Sequence, residues 1–297
     1  MITLVIIVIT TMIKKRQHID LNGRTIIEKL KIIPPLRQNP VFQDEACFLY
    51  FTEGGSHIIA PTEKVTIKEN ESVLLKCGTY FADLLQNRLS GICEVCVIHF
   101  FPDILEKIFK EEIPFFVKQK ESSNYIYIVS QKNVIDHFME SLNFYFDNPE
   151  MAKEEILYLK IKELILLLLH TEAADTIFEL YSYLFTPQKA SISAVIESHL
   201  YSNLSIDQMA FLACQSLSTF KREFKKHFDD TPANYIRNKR MKKATDLLVH
   251  SSLTVSEISF QIGYEDSSYF SRLFYQKFNI LPSDYRKSNQ KKAIHTR

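Results

Sequence analysis

Leu253-Thr254-Val255-Ser256-Glu257-Ile258-Ser259-Phe260-Gln261-Ile262-Gly263-Tyr264-Glu265-Asp266-Ser267-Ser268-Tyr269-Phe270-Ser271-Arg272-Leu273-Phe274-Tyr275-Gln276-Lys277-Phe278 is the stretch that decides how this chain folds. It reads as a capped short helix, a tight turn and a second capped helix. Phe270, Phe274 and Phe278 recur at i, i+4 and i+8, so they share one helix face, the buried one. Asp266 stands where an N-cap belongs and offers an acceptor to the free amides of the helix it opens. The same grammar appears in Leu204–Phe228, offset by 49 residues through the first helix and turn and by 50 from the second cap onward, with Phe220, Phe224 and Phe228 as the stripe and Ser216 as the cap. Between the two units, Pro232–His250 reads as one long helix. Ile236, Met241, Ala244, Leu247 and Leu248 point inward, and Lys239, Arg240, Lys242 and Lys243 form a basic band.

A helix, a tight turn and a second amphipathic helix make a helix-turn-helix, whose second helix is narrow enough to enter the major groove of DNA. The first unit exposes Ser218, Thr219, Lys221, Arg222 and Lys225, and the second exposes Ser267, Ser268, Ser271, Arg272 and Tyr275. Arginine bonds guanine bidentately, and serine and threonine reach bases or phosphates. A plain pair of packed helices explains one such unit, but not two with matching caps and charge. Residues 188–297 hold 11 Lys and 6 Arg against 6 Asp and 4 Glu, a net of +7, in a chain whose overall charge is +1. A basic module behind an acidic one points to a polyanion partner.

The segment Ile258–Arg286, ending in Pro282-Ser283-Asp284-Tyr285-Arg286, resembles the C-terminal signature of the AraC/XylS family of bacterial transcription regulators. The resemblance spans residues 192–287. It implies seven helices, two helix-turn-helix units, double-stranded promoter DNA and RNA polymerase as partners, and a cytoplasmic protein. It implies base reading by Ser218, Lys221 and Arg222 and by Ser267, Ser268, Ser271 and Arg272, and phosphate contacts from Thr219 and Tyr269. Lys225 is expected to hold DNA without regard to sequence. One departure stands out. Cys214-Gln215 occupies the first turn where the family has a glycine and an apolar residue, which strains that turn if its φ is positive.

Only 6 glycines occur, five of them at Gly23, Gly54, Gly55, Gly78 and Gly91. Clustered glycines of the kind that cradle phosphates are therefore missing. Residues 24–101 break into short runs at Thr25–Ile33, Cys47–Thr52, Ser56–Ala60, Lys64–Lys68, Ser72–Lys76, Tyr80–Leu85 and Ile92–Phe101, the pattern of a small barrel or sandwich. Helices are expected at Asp103–Glu112, Ser130–Asp147, Pro149–Thr171 and Asp175–Phe185. The fold class is thus α+β: a cupin-like β-barrel with helices, then an all-α DNA-binding domain. The boundaries are 1–23 as an extension with Met12 as an alternative start, 24–185 for sensing or dimerisation, 186–191 as a linker, 192–289 for DNA binding and 290–297 as a basic tail.

Leu157, Ile161, Leu164 and Leu168 form one apolar stripe, expected either in the core of its own domain or in the seam of a homodimer. Tyr158–Leu168 is similar to a helix of the type III secretion activators of the same family, which implies dimerisation and control by a protein partner. The five cysteines are odd and sparse, as in a reduced compartment. Cys93 and Cys96 have C-x-x-C spacing without a second ligand pair. His57 and His99, with Glu94, are the candidates for a cupin-type metalloenzyme, but no catalytic motif accompanies them. No cofactor, metal or catalytic residue is assigned. The leading reading is a sequence-specific transcription regulator, an activator, whose N-terminal part senses a ligand or partner or dimerises. The rival is a co-regulator governed by protein contact.

Overall fold

The computed structural model describes residues 12–42, 45–76, 78–109, 124–129, 132–170 and 190–294. The chain forms two compact units, residues 1–189 and 190–297. The expected helix at 175–185 and residues 1–11 lie outside the described residues.

The first unit is built on two main antiparallel sheets. A six-stranded sheet runs in the order β1 (Ile13–Leu21), β2 (Arg24–Ile32), β11 (Cys93–Phe100), β5 (Ala46–Glu53), β8 (Ser72–Leu75), β12 (Ile126–Val129). A four-stranded sheet runs β3 (Leu36–Gln38), β10 (Phe81–Leu85), β6 (Gly55–Ile59), β7 (Lys64–Ile67), and β4 (Val41–Phe42) pairs with β9 (Gly78–Thr79). Among the described residues the β region begins at Ile13 rather than at Arg24, so residues 13–21 of the expected extension form a strand. Asn22 and Gly23 both take positive φ, 53° and 75°, the backbone a two-residue hairpin turn demands, and β1 folds back on β2.

Strand β11 is buried on both faces, which is why it reads as a continuous apolar run. On one side Cys96, Ile98 and Phe100 join a core with three helices, α1 (Pro102–Phe109), α2 (Lys132–Asp147) and α3 (Glu154–Leu169). On the other side Val95, Val97 and His99 line a cavity of about 260 Å³, shared with Ile58, Ala82 and Leu84 of the smaller sheet.

Leu157, Ile161, Leu164 and Leu168 are at most 1% exposed, all inside the core of their own domain. This corrects the dimer-seam reading of that stripe, because side chains already enclosed by β1, α1 and α2 have no surface left for a second chain. The apolar residues that α3 does expose are Leu159 and Leu166, in a shallow groove with Lys162, Glu163, Leu167 and His170.

Among its described residues the second unit contains seven helices: α4 (Ile192–His199), α5 (Ile206–Leu212), α6 (Leu217–Phe228), α7 (Pro232–His250), α8 (Val255–Gln261), α9 (Ser267–Phe278) and α10 (Pro282–Ile294). No helix among the described residues is long and apolar enough to cross a membrane.

Candidate nucleic-acid interface

Each helix-turn-helix is assembled from local signals. Helices α5 and α8 both open with a capping box, Ser205 with Gln208 and Thr254 with Glu257, in which side chain and backbone exchange hydrogen bonds. Helix α6 is capped by Ser216, which accepts from the Thr219 amide at 3.2 Å, and α9 by Asp266, which accepts from Ser268 and Tyr269 at 2.7 and 3.2 Å. Those two amides hold the Asp266 carboxyl below the usual carboxylate range. Both second helices end on a left-handed residue, Asp229 and Asn279, that returns an amide to the last turn.

Packing repeats with the same fidelity. Phe220 and Phe224 are fully buried, as are Phe270 and Phe274. Tyr235 lies edge-on to Phe224 at 5.5 Å, and Tyr285 lies edge-on to Phe274 at 5.5 Å. The chain thus builds one unit twice, each sealed by a tyrosine from the helix that follows.

The turns differ. Gly263 has φ +86°, and a Cβ placed on it would stand 2.6 Å from the Ser202 carbonyl oxygen and 2.8 Å from that of Tyr201. Cys214, at the equivalent place, holds φ +53° with a side chain, so the strain expected for a missing glycine is present in the backbone.

The recognition faces are open. Ser218, Lys221, Arg222 and Lys225 are exposed on α6, with Thr219 half-buried. Ser268, Tyr269 and Arg272 are exposed on α9, with Ser267 and Ser271 half-buried. Lys221, Arg222, Lys225 and Arg272 form no ion pair among the described residues, so their charge faces outward. The Arg272 guanidinium lies over the Tyr269 ring at 5.8 Å. Three of their hydroxyls are already engaged: Ser218 Oγ lies 3.1 Å from Ser216 Oγ, Thr219 Oγ1 accepts from Ser216 at 2.9 Å, and Ser271 donates to the Ser267 carbonyl at 2.8 Å.

Arg240 corrects the sequence reading. Within the expected basic band of α7, Lys239, Lys242 and Lys243 are exposed, but Arg240 is only 9% exposed. It donates to the carbonyls of Leu200 at 2.7 Å and Gly263 at 2.9 Å, and to that of Ser202. Burial pulls its pKa down from the ordinary arginine value. Arg240 therefore clamps the Gly263 turn to the loop before α5. Arg286 does related work, donating to Leu248 and Leu253 at 3.1 and 2.5 Å ahead of α8. Neither role was legible from spacing, because the partners of Arg240 lie 23 to 40 residues away.

The metal candidates do not assemble as spaced. Cys93 meets the Gly55 carbonyl at 3.5 Å and Cys96 sits in the core on the opposite side of the sheet, so C-x-x-C spacing parts them. Burial pushes their thiols up to about 11 and about 12. His57 meets Thr66, and Glu94 meets Thr52, Lys29 and Lys31, away from His99.

Comparison with known proteins agrees with this construction. Residues 209–288 match the family described as a helix-turn-helix domain, and residues 46–180 match the ExsA N-terminal regulatory domain. The chain is 33% identical over 140 residues to the HTH-type transcriptional activator RhaS of Shigella boydii serotype 18 and of Escherichia coli O139:H28, covering 47% of this chain and 48% of each relative. It thus spans about half the length of the curated relatives it matches. Among solved structures, ToxT of Vibrio cholerae is 15% identical with a TM-score of 0.37, covering 90% of this chain and 96% of that one. The two matched regions, residues 46–180 and 209–288, together resemble the regulatory and DNA-binding parts of AraC/XylS-type transcription regulators.

Proposed function

We propose that this chain is a sequence-specific DNA-binding regulator that activates transcription at promoters its two recognition helices select. The observation that carries the reading is the pair of open faces on α6 and α9, each with an unpaired arginine and flanking hydroxyls, within residues 188–297 of net charge +7. Arg222 and Arg272 read guanines, with Ser218, Lys221, Ser267, Ser268 and Ser271 beside them at base edges. Thr219, Tyr269 and Lys225 hold phosphates. The relatives named as activators support the direction of control, and recruitment of RNA polymerase follows by analogy with the family. The N-terminal unit serves regulation and self-association. If it forms a homodimer through α3, the seam uses Leu159 and Leu166 rather than the buried stripe.

The test is binding of the purified protein to DNA upstream of its own gene, measured by fluorescence anisotropy at two salt concentrations. Specific binding should weaken steeply with salt. Lys225→Ala should lower affinity for all DNA alike. Absence of any preference over scrambled DNA would refute the reading.

A further inference from the structure

Outside the recognition faces, one cluster in the N-terminal unit gathers three different metal-binding side chains. His99 on β11 stands directly opposite Cys47 on β5 in the antiparallel ladder, so both side chains project from the same face as cross-strand neighbours. Cys47 Sγ lies 3.4 Å from His99 Nδ1, and Glu45, just before β5, brings a carboxylate oxygen within 2.8 Å of the same nitrogen. The three donor atoms all fall within 4.8 Å of one another. We propose that Glu45, Cys47 and His99 form a binding site for a borderline-soft divalent transition-metal ion, with zinc the best match.

The geometry supports an ion rather than a hydrogen-bond triad alone. Nδ1 carries at most one proton, yet a thiol sulfur and a carboxylate both converge on it. Donors around a tetrahedral zinc ion, with bonds of about 2.0–2.3 Å, stand roughly 3.4 Å apart, the spacing the sulfur and nitrogen already have. One sulfur, one imidazole nitrogen and one carboxylate oxygen suit zinc and disfavour calcium or magnesium, which take oxygen sets.

The far side of the ring is equally informative. His99 Nε2 is buried without a hydrogen-bond partner, and its nearest carboxylate oxygen, Glu28 Oε1, lies 3.6 Å away. An ion on Nδ1 forces the ring proton onto Nε2, where a small shift of Glu28 would accept it. This is the carboxylate-behind-histidine arrangement that orients metal-ligating imidazoles. Phe101 stacks on the ring at 6.1 Å and Phe42 approaches edge-on at 6.4 Å, which holds its plane. Binding releases to solvent the thiol proton and any proton on Nδ1. The fourth donor is water or a solute from the cavity that His99 lines.

The test is cobalt and zinc titration of the full-length, chelator-stripped protein, read by absorption. Cobalt should give a thiolate charge-transfer band and the intense visible bands of a four-coordinate ion, and zinc should displace it. Cys47→Ser and His99→Gln should abolish both features, and Glu45→Gln should weaken binding. Glu28→Gln should keep the spectrum but lower affinity by about 10–100-fold. Serine at Cys77, Cys93, Cys96 or Cys214 should change nothing. Should the buried Cys47 or His99 variant fail to fold, Glu45→Gln and Glu28→Gln decide the matter. No stoichiometric binding by the wild type, a spectrum indifferent to Cys47, or an affinity indifferent to Glu45 and Glu28 would overturn the proposal.

Discussion

Replacing Gly263 by alanine puts a methyl group where the structure has no room and bends the backbone where a side chain resists. The φ of +86° costs an L-residue roughly 1–2 kcal/mol. The added Cβ would stand 2.6 and 2.8 Å from two backbone carbonyl oxygens, and backbone cannot swing aside as a side-chain tip can. Overpacking of this kind costs typically 1–3 kcal/mol. Alanine recovers roughly 0.4–1 kcal/mol by restricting the unfolded chain, which leaves a net loss of about 1–4.5 kcal/mol. Any outward movement of the turn also lengthens the bond from Arg240 to the Gly263 carbonyl, so the damage spreads to the loop before α5. Hydrogen exchange of peptides from residues 255–278 in the intact protein reads this locally. At tenfold per 1.4 kcal/mol, exchange should accelerate about 5- to 1,600-fold, while peptides from β5 and β11 stay at the wild-type rate. Exchange within about threefold of wild type would refute the argument that the turn needs glycine on both grounds.

The first turn should respond in the opposite sense: Cys214→Gly removes left-handed strain of roughly 1–2 kcal/mol against about 0.5–1 kcal/mol of added chain entropy, so exchange in 206–228 should slow by a few fold. Arg240→Met strands three carbonyls and should destabilise the C-terminal unit by about 3 kcal/mol, lowering its melting midpoint and loosening both turns together. Leu164→Ala, inside the core, should cost about 2–5 kcal/mol in denaturant unfolding without changing the oligomeric state. Leu159→Glu, on the open face of α3, should leave stability near wild type and convert any dimer seen in sedimentation to monomer; a dimer indifferent to it would place the seam elsewhere.

What the sequence made legible was local. Caps, the phenylalanine stripes and the turn positions of the C-terminal unit depend on residues three to five apart, and they emerge where the spacing puts them. The seven longer strands between Arg24 and Phe100 were also recoverable, because a buried sheet writes apolar runs into the chain, whereas the two- and three-residue strands β3, β4 and β9 were not. Asn22-Gly23 carried a hairpin signal that should have placed β1. What stayed hidden depends on distant pairing. Arg240 reads as one more surface cation until α7 carries it against the Leu200–Ser202 loop. Cys47 and His99 are 52 residues apart and meet only through strand register, which pattern alone does not fix. The stripe on α3 showed that something covers it, but not that β1, α1 and α2 of the same chain do.

The central claim is that two unlike copies of one unit read DNA, each through its own arginine. In-vitro selection of bound sequences, run on wild type, Arg222→Ala and Arg272→Ala, tests it most directly. Wild type should select two blocks of preferred bases about one helical turn apart, roughly 10 base pairs. Each variant should relax preference in one block only, at a cost of about 1–3 kcal/mol, with the other block intact. Loss of preference in neither block, or in the same block for both variants, would contradict it.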